Sequence, residues 1–255
     1  MIALFAALQL EVQPFLRRLR VRSPSGLSGF PVILGEYHGL PVLVCRTGLG
    51  QRAGEGASTV LGRYRPEGVL SVGLAGALSP ECRVGDLVFC QRVHCLEADG
   101  RLSAPLLSDE RFLEAARRAA HSRGLSSRTG GSLTASRLVA EPQEKAALRH
   151  STGLDVAEME SYWVGRAALE RGIPFLALRA VSDGAGDALP DIPGVVTLEG
   201  ELRIAPALTY ALGHPTRLPL LLRTGGRARE AVSNLTRFLE AFVSAFEAVP
   251  VGKPA

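Results

Sequence analysis

The sequence predicts an α/β fold whose sheet is covered by helices on both faces. Three observations carry this. Apolar runs of strand length recur at residues 2–8, 31–36, 41–46, 68–74, 85–91 and 174–181. Most are unbroken rather than alternating, as in strands buried on both faces. Helical patterns lie between them, and strands alternating with helices require a sheet with both faces covered.

Taken in order, residues 1–8 are apolar enough to suggest an export signal. They lack a basic leading region and Glu11 follows at once, so a buried first strand is expected. The next helix shows an apolar stripe of Val12, Phe15, Leu16 and Leu19, with Arg17, Arg18, Arg20 and Arg22 opposite on a solvated face. Residues 22–29 read as a polar turn region. Residues 51–64 form a helical pattern, Ser108 can N-cap a helix through His121, and Glu141-Pro142 starts a short one. Met159, Trp163 and Ala167 mark one face of another. Leu235, Phe238, Leu239, Phe242, Val243 and Phe246 obey helical spacing, so the last helix packs on the core. Residues 184–222 are irregular, apolar and proline-studded.

Composition narrows the function classes. The chain has 255 residues, of which 46% are apolar and 21% charged, which excludes disorder. No composition shift divides it, so residues 1–255 are read as one domain. No apolar run approaches the ~18 residues of a membrane span. The net charge of +4 comes largely from scattered arginines without interleaved aromatics, which does not favour nucleic acid. Cys45, Cys82, Cys90 and Cys95 form no CxxC and no cluster with histidine. Zinc and a disulfide framework are therefore not expected, and the chain is read as cytoplasmic.

Four places at strand ends could carry chemistry, where open α/β sheets hold ligands. Glu11 follows the first strand and could simply complement a helix dipole. Thr47-Gly48-Leu49-Gly50-Gln51-Arg52-Ala53-Gly54 is a glycine turn before a helix, where backbone amides favour anions or hydroxyls. Its spacing is GxGxxxG, not the dinucleotide GxGxxG, and Glu67 precedes the next strand instead of ending it. Val72-Gly73-Leu74-Ala75-Gly76-Ala77 ends another strand in small residues that permit close approach of a ring or sugar, or merely pack a turn. Asp155-Val156-Ala157-Glu158-Met159-Glu160 and Ser182-Asp183 put acids at strand ends, where burial is costly unless something binds them.

In this order the pieces resemble the nucleoside phosphorylase and nucleosidase superfamily that includes methylthioadenosine/adenosylhomocysteine nucleosidase. The matching segments are Ala6-Ala7-Leu8-Gln9-Leu10-Glu11-Val12, Thr47-Gly48-Leu49-Gly50, residues 72–77 with Val84-Gly85-Asp86, Val156-Ala157-Glu158-Met159-Glu160 and Arg179-Ala180-Val181-Ser182-Asp183. The resemblance implies a three-layer α/β/α sandwich around a mixed, mostly parallel central sheet, assembled as a homo-oligomer, first a dimer. It implies cleavage of the bond between ribose and a purine, with no cofactor and no metal.

Such cleavage builds positive charge on the sugar and negative charge on the departing base. By position, Asp183 matches the acid that protonates purine N7, with a carboxyl raised above its ordinary ~3.9 when substrate closes the site. Glu160 matches the residue that grips the ribose hydroxyls, Met159 the one packed on ribose, and Glu11 the carboxylate that activates water. Ala75 and Gly76 would line base or sugar, and Leu138 and Val139 would offer backbone groups to the base. Ser182 and Glu158 complete the implied substrate-binding set.

Departures from the family pattern favour water over phosphate. Ser71 stands where phosphorylases carry an arginine, and Leu74 where they carry a phosphate-binding hydroxyl, although Arg46 and Arg52 leave phosphate open. The aromatic insert of the methylthioadenosine enzymes is absent from residues 92–107. Ser182–Pro190, residues 198–203 and residues 214–222 resemble the hopanoid-associated phosphorylase branch, which removes adenine from adenosylhopane. The expected partner is therefore a nucleoside, lipid-linked if that branch applies, in which case the protein would be membrane-peripheral. The other readings are a methylthioadenosine/adenosylhomocysteine or futalosine nucleosidase, a phosphorylase, and a non-catalytic nucleoside-binding protein.

Overall fold

Ile2–Ala6 (β1) is buried at every position, and a computed structural model of the protein shows why. The structure describes residues 1–190, 197, 199–201, 210 and 218–246. β1 lies between two parallel neighbours, Leu40–Arg46 (β4) and Gly68–Ala77 (β5). Its side chains alternate between two cores. Ile2, Leu4 and Ala6 enter one cluster, and Ala3 and Phe5 enter the other.

The remaining strands extend the sheet both ways. Phe30–Tyr37 (β3) pairs antiparallel with β4, and Arg20–Leu27 (β2) with β3. On the other side β5 pairs in parallel with Phe175–Asp183 (β10), which runs antiparallel to Leu87–Cys95 (β6). Ser127–Thr134 (β8) lies parallel to β6, Val156–Glu158 (β9) parallel to β8, and β9 returns antiparallel to β5. Strands β5, β10, β6, β8 and β9 therefore close into a hydrogen-bonded ring. Leu106–Leu107 (β7) adds to β6.

Helices cover both faces, as the three-layer reading requires. Gln9–Leu16 (α1), Glu110–Ser122 (α3) and Leu218–Ala245 (α6) line the first core through Phe15, Phe112, Leu235, Phe238 and Phe242. Arg52–Arg63 (α2) and Ser161–Leu169 (α5) line the second through Ala57, Val60, Val164 and Ala168. Each fully buried aromatic of α6 contributes about 1.5–3 kcal/mol by leaving water. Pro142–Thr152 (α4) borders a smaller cluster beside β8.

Several expectations need correction. Residues 20–27 form a strand, not a turn region, because a two-residue turn at Ser28 and Gly29, both at positive φ, folds them back on β3. The first helix ends at Leu16, so Arg20 and Arg22 belong to that strand, where Arg22 pairs with Glu36. Asp109, not Ser108, caps α3 by accepting from the Arg111 amide. Ser108 instead donates to the Cys90 carbonyl and accepts from the Ala177 amide, tying two strands together. Met159 precedes α5 and does not lie on its face. Of the irregular stretch, residues 191–196, 198, 202–209 and 211–217 lie outside the described residues, including His214 and parts of two of the three segments that resemble the hopanoid branch.

The four cysteines are free and buried. Burial pushes the Cys45 thiol up to about 12. Among the described residues no helix is long and apolar enough to cross a membrane.

Candidate active site

Glu11 stands in the first turn of α1 and folds back over the end of β1. Its Oε2 accepts from the Leu8 amide at 2.8 Å, the reach-back of a capping box. Its Oε1 accepts from the Leu74 amide on β5, also at 2.8 Å. The side chain is only 4% exposed. Burial raises its pKa, and the two amides and the Arg179 charge offset part of that rise. Gly73 makes the approach possible, since a Cβ there would stand 2.6 Å from Oε1.

Glu160 sits at the junction of β9 and α5. Its Oε1 accepts from the Gly50 amide at 3.1 Å. The glycine turn after β4 thus spends that amide on a carboxylate of the chain itself. Gly50 adopts φ of +62°, which suits glycine. Burial, then the charge of Glu158, lifts Glu160 to about 8, against the pull of Arg179.

Arg179 links these acids. It lies inside β10 and is among the largest fully buried side chains. Its Nε and Nη2 donate to Glu158 Oε2 at 3.2 and 2.6 Å, and Nη2 also donates to Ser71 Oγ at 3.1 Å. Nη2 stands 3.9 Å from Glu160 Oε2. Burial opposes the charge of Arg179, but Glu158 and Glu160 outweigh it. Glu158 is held below the usual carboxylate range, because Arg179 and its hydrogen bonds overcome its burial. It accepts from Ser132, Thr134 and the amides of Glu160 and Ser161 as well. Both Glu158 oxygens are therefore occupied within the chain, so this member of the expected substrate-binding set serves as an anchor for Arg179.

Asp183 ends β10 beside Gly76, its register partner on β5. A Cβ on Gly76 would lie 2.8 Å from Asp183 Oδ2. Oδ1 accepts from the Ser182 hydroxyl at 2.7 Å, and Oδ2 from the Lys145 ammonium at 2.5 Å. Glu11 meets β5 at residues 73 and 74 and Asp183 meets it at 76, a separation along the strand of about 7–10 Å.

Ala75 is buried and Gly76 half-buried between the two acids. Met159 is half-buried next to Glu160. Val139 is buried and Leu138 is exposed, and the neighbouring Ala140 carbonyl accepts from the Leu189 amide beyond Asp183. Described parts of the irregular stretch also reach the site. The Gly200 carbonyl accepts from the Gln9 amide at 3.3 Å, and a Cβ on Gly200 would collide with the Ala7 carbonyl. Beside Gly50 opens a cavity of about 510 Å³, lined in part by Leu96, Ala98, Tyr162, Trp163 and Arg166.

Two charged residues of the site, Arg179 and Lys145, were given no role by the sequence, although Arg179 stands in a matching segment. Arg179 carried a signal, since a cation inside an unbroken apolar strand must have a buried partner. Lys145 carried none, because a lysine in a short polar helix reads as solvated.

The model of the phosphorylase superfamily matches residues 1–201. The chain belongs to the phosphorylase superfamily. A 5′-methylthioadenosine/S-adenosylhomocysteine nucleosidase of Tolumonas auensis is 28% identical over 218 residues, covering 80% of this chain and 93% of that protein. The nucleosidase of the same description from Geobacillus thermodenitrificans is 30% identical over 199 residues, covering 72% and 84%. Two solved structures share the fold. The Neisseria meningitidis nucleosidase in complex with methylthio-immucillin-A has a TM-score of 0.76 at 20% identity, with 96% of this chain and 98% of that one covered. The futalosine hydrolase of Helicobacter pylori has a TM-score of 0.76 at 18% identity, with 95% and 97% covered.

Proposed function

We propose that this member of the superfamily hydrolyses the N-glycosidic bond of a 5′-substituted adenosine and releases adenine. The observation that carries the reading is that Glu11 and Asp183 meet the end of β5 two to three residues apart, while Glu11 and Glu160 both lie in the field of Arg179. Glu160 and Met159 take the ribose, and Asp183 faces the purine. The bond from C1′ to N9 breaks as its electron pair moves to the base. Asp183 supplies from Oδ1 the proton that N7 takes up, once the Ser182 hydroxyl has turned from Oδ1 to the Ala75 carbonyl, 3.3 Å away. Water adds to C1′ and gives its proton to Glu11, whose raised pKa suits a base. Glu160 holds the ribose hydroxyls in place through these events.

Water is preferred to phosphate on charge. Arg179, the buried cation beside Glu11, is engaged by Glu158 and Ser71. Arg46 donates to Gln9, and Arg52 lies over the Phe30 ring at 4.7 Å. A phosphate dianion would also face two carboxyl groups.

For the 5′ substituent we favour a bulky apolar group of the adenosylhopane kind. The cavity beside Gly50 supports this through Leu96, Ala98, Tyr162 and Trp163, although Glu97 and Arg166 also line it, and so does the apolar composition of residues 184–222. The relatives named for methylthioadenosine and adenosylhomocysteine supply the second reading.

The test is adenine release from 5′-methylthioadenosine, S-adenosylhomocysteine, futalosine-type nucleosides and an adenosine bearing a long apolar 5′ chain, with and without phosphate. The expected product is the free ribosyl sugar in both conditions, with the apolar substrate cleaved at the highest kcat/KM. Strict phosphate dependence with a ribose 1-phosphate product would refute hydrolysis, and base release from none of the substrates would refute the activity.

A further inference from the structure

Helix α4 turns one residue fully inward, and that residue is a lysine. Lys145 is 0% exposed. Its ammonium has three hydrogens and meets three acceptors: Asp183 Oδ2 at 2.5 Å, the Gly184 carbonyl at 3.0 Å and the Asp187 carbonyl at 2.9 Å. The turn that supplies those carbonyls is braced from behind. The Gly184 amide donates to Asp187 Oδ2 at 2.8 Å, and Arg227 of α6 reaches the same carboxylate at 2.6 Å.

A buried ion pair is an inefficient source of stability, because desolvating both charges consumes most of their attraction. An apolar side chain would dock α4 at less cost, as the inward alanines of α3 do for that helix. The geometry around Asp183 gives the lysine a different task. Oδ2 is wedged between Lys145 and Gly76, where a Cβ would lie 2.8 Å from Oδ2 and 3.5 Å from Oδ1. Among the described residues Oδ1 is held only by the neighbouring Ser182 hydroxyl at 2.7 Å, which can turn.

We propose that Lys145 is the positioning residue of Asp183: it fixes Oδ2 and the following turn, so that Oδ1 alone is presented to the base. This rests on the reading of Asp183 as the acid. The lysine makes no contact with substrate and acts through the carboxylate. Its loss lets the carboxyl rotate and the Gly184–Asp187 turn drift, and a displacement near 1 Å at a reacting group costs on the order of 100-fold in rate.

The experiment is a double-mutant cycle read by adenine release, with 5′-methylthioadenosine and the long-chain substrate as probes. K145M should lower kcat about 100-fold with KM nearly unchanged. In the D183N background the same change should cost nothing further, because the group it positions is already disabled. If K145M fails to give a cooperative thermal transition, K145Q takes its place. Its side chain is one atom shorter than that of lysine and does not reach Asp183 Oδ2, so the same kcat loss is expected. Unchanged kcat in the folded lysine variant overturns the proposal, as does an equal loss in both backgrounds, which a merely structural role would give. If D183N itself keeps wild-type kcat, the acid assignment fails instead. If D183N is inactive while the lysine variants are fully active, only the role of Lys145 fails.

Discussion

Replacing Gly73 by alanine places one methyl group against the carboxylate proposed to activate water. The added Cβ would stand 2.6 Å from Glu11 Oε1 and 3.1 Å from Arg179 Nη1. Ordinary contact needs about 3.4 Å or more, so the carboxylate must retreat by roughly 0.8 Å. Glu11 is the movable partner, since Arg179 is pinned by Glu158 and Ser71. In retreating it leaves the Leu74 amide, a charge-assisted hydrogen bond worth about 1.5–3 kcal/mol. The fold should therefore survive with a Tm lower by several degrees. Catalysis should suffer more. A base displaced by close to 1 Å loses on the order of 100-fold, within the 10²–10⁴-fold that general-base catalysis typically supplies. The assay is adenine release at saturating substrate, with the Kd of a non-hydrolysable nucleoside analogue measured in parallel. The expected result is a kcat reduced about 100-fold and a Kd within a few-fold of the parent. A kcat equal to that of the parent in a folded G73A would refute the role of Glu11 as base.

Two further expectations concern the charge network. Glu160 is raised from 4.5 to about 8, so its neutral form is favoured by folding. Its contribution is fully present below about pH 4.5 and is lost as pH rises through 8. Glu160→Gln should therefore gain stability relative to the parent as pH increases from 5 to 8.5, measured by denaturant midpoints. A gap independent of pH would contradict the raised carboxyl. Glu158 runs with the opposite sign, since Arg179 holds it ionised and its contribution is lost in acid. Glu158→Gln leaves Arg179 buried without its main partner, which should cost about 3–5 kcal/mol. For a chain of this size that is a Tm drop of roughly 6–20 °C by calorimetry. A drop under two degrees would mean that Glu160 or Glu11 replaces the lost partner.

The parts of the molecule that the sequence made legible are those governed by burial. Unbroken apolar runs announced β1, β4, β5 and β10, and the phenylalanine spacing of α6 announced its packing face. β2 was hidden because an edge strand need not be apolar, and Arg20–Leu27 contains Ser, Pro and Gly that read as turn residues. The start of α6 was hidden by Pro219, Gly225 and Gly226, which lie within it. In the candidate site, the acids at 11, 160 and 183 were visible only as an ordered set shared with a family. Their mutual geometry depends on backbone approaches at Gly50, Gly73 and Gly76, and single glycines in a sequence do not state what they admit. The partners of Glu158 and Asp183 were illegible for a further reason. Arg179 is 21 residues from Glu158 and Lys145 is 38 from Asp183, so only the fold brings each pair together.

The closed circuit of β5, β10, β6, β8 and β9 has a bearing on how such a molecule can diversify. Glu158 and Asp183 are carried on staves of this circuit, and Glu11 is bonded to one of them, so the spacing of the acids is inherited from backbone pairing. Each stave has a neighbour on both flanks, and an insertion or slip in one would unseat two others. New substrates must therefore be accommodated in the connections, where length and composition are free to drift while the reacting end keeps its dimensions.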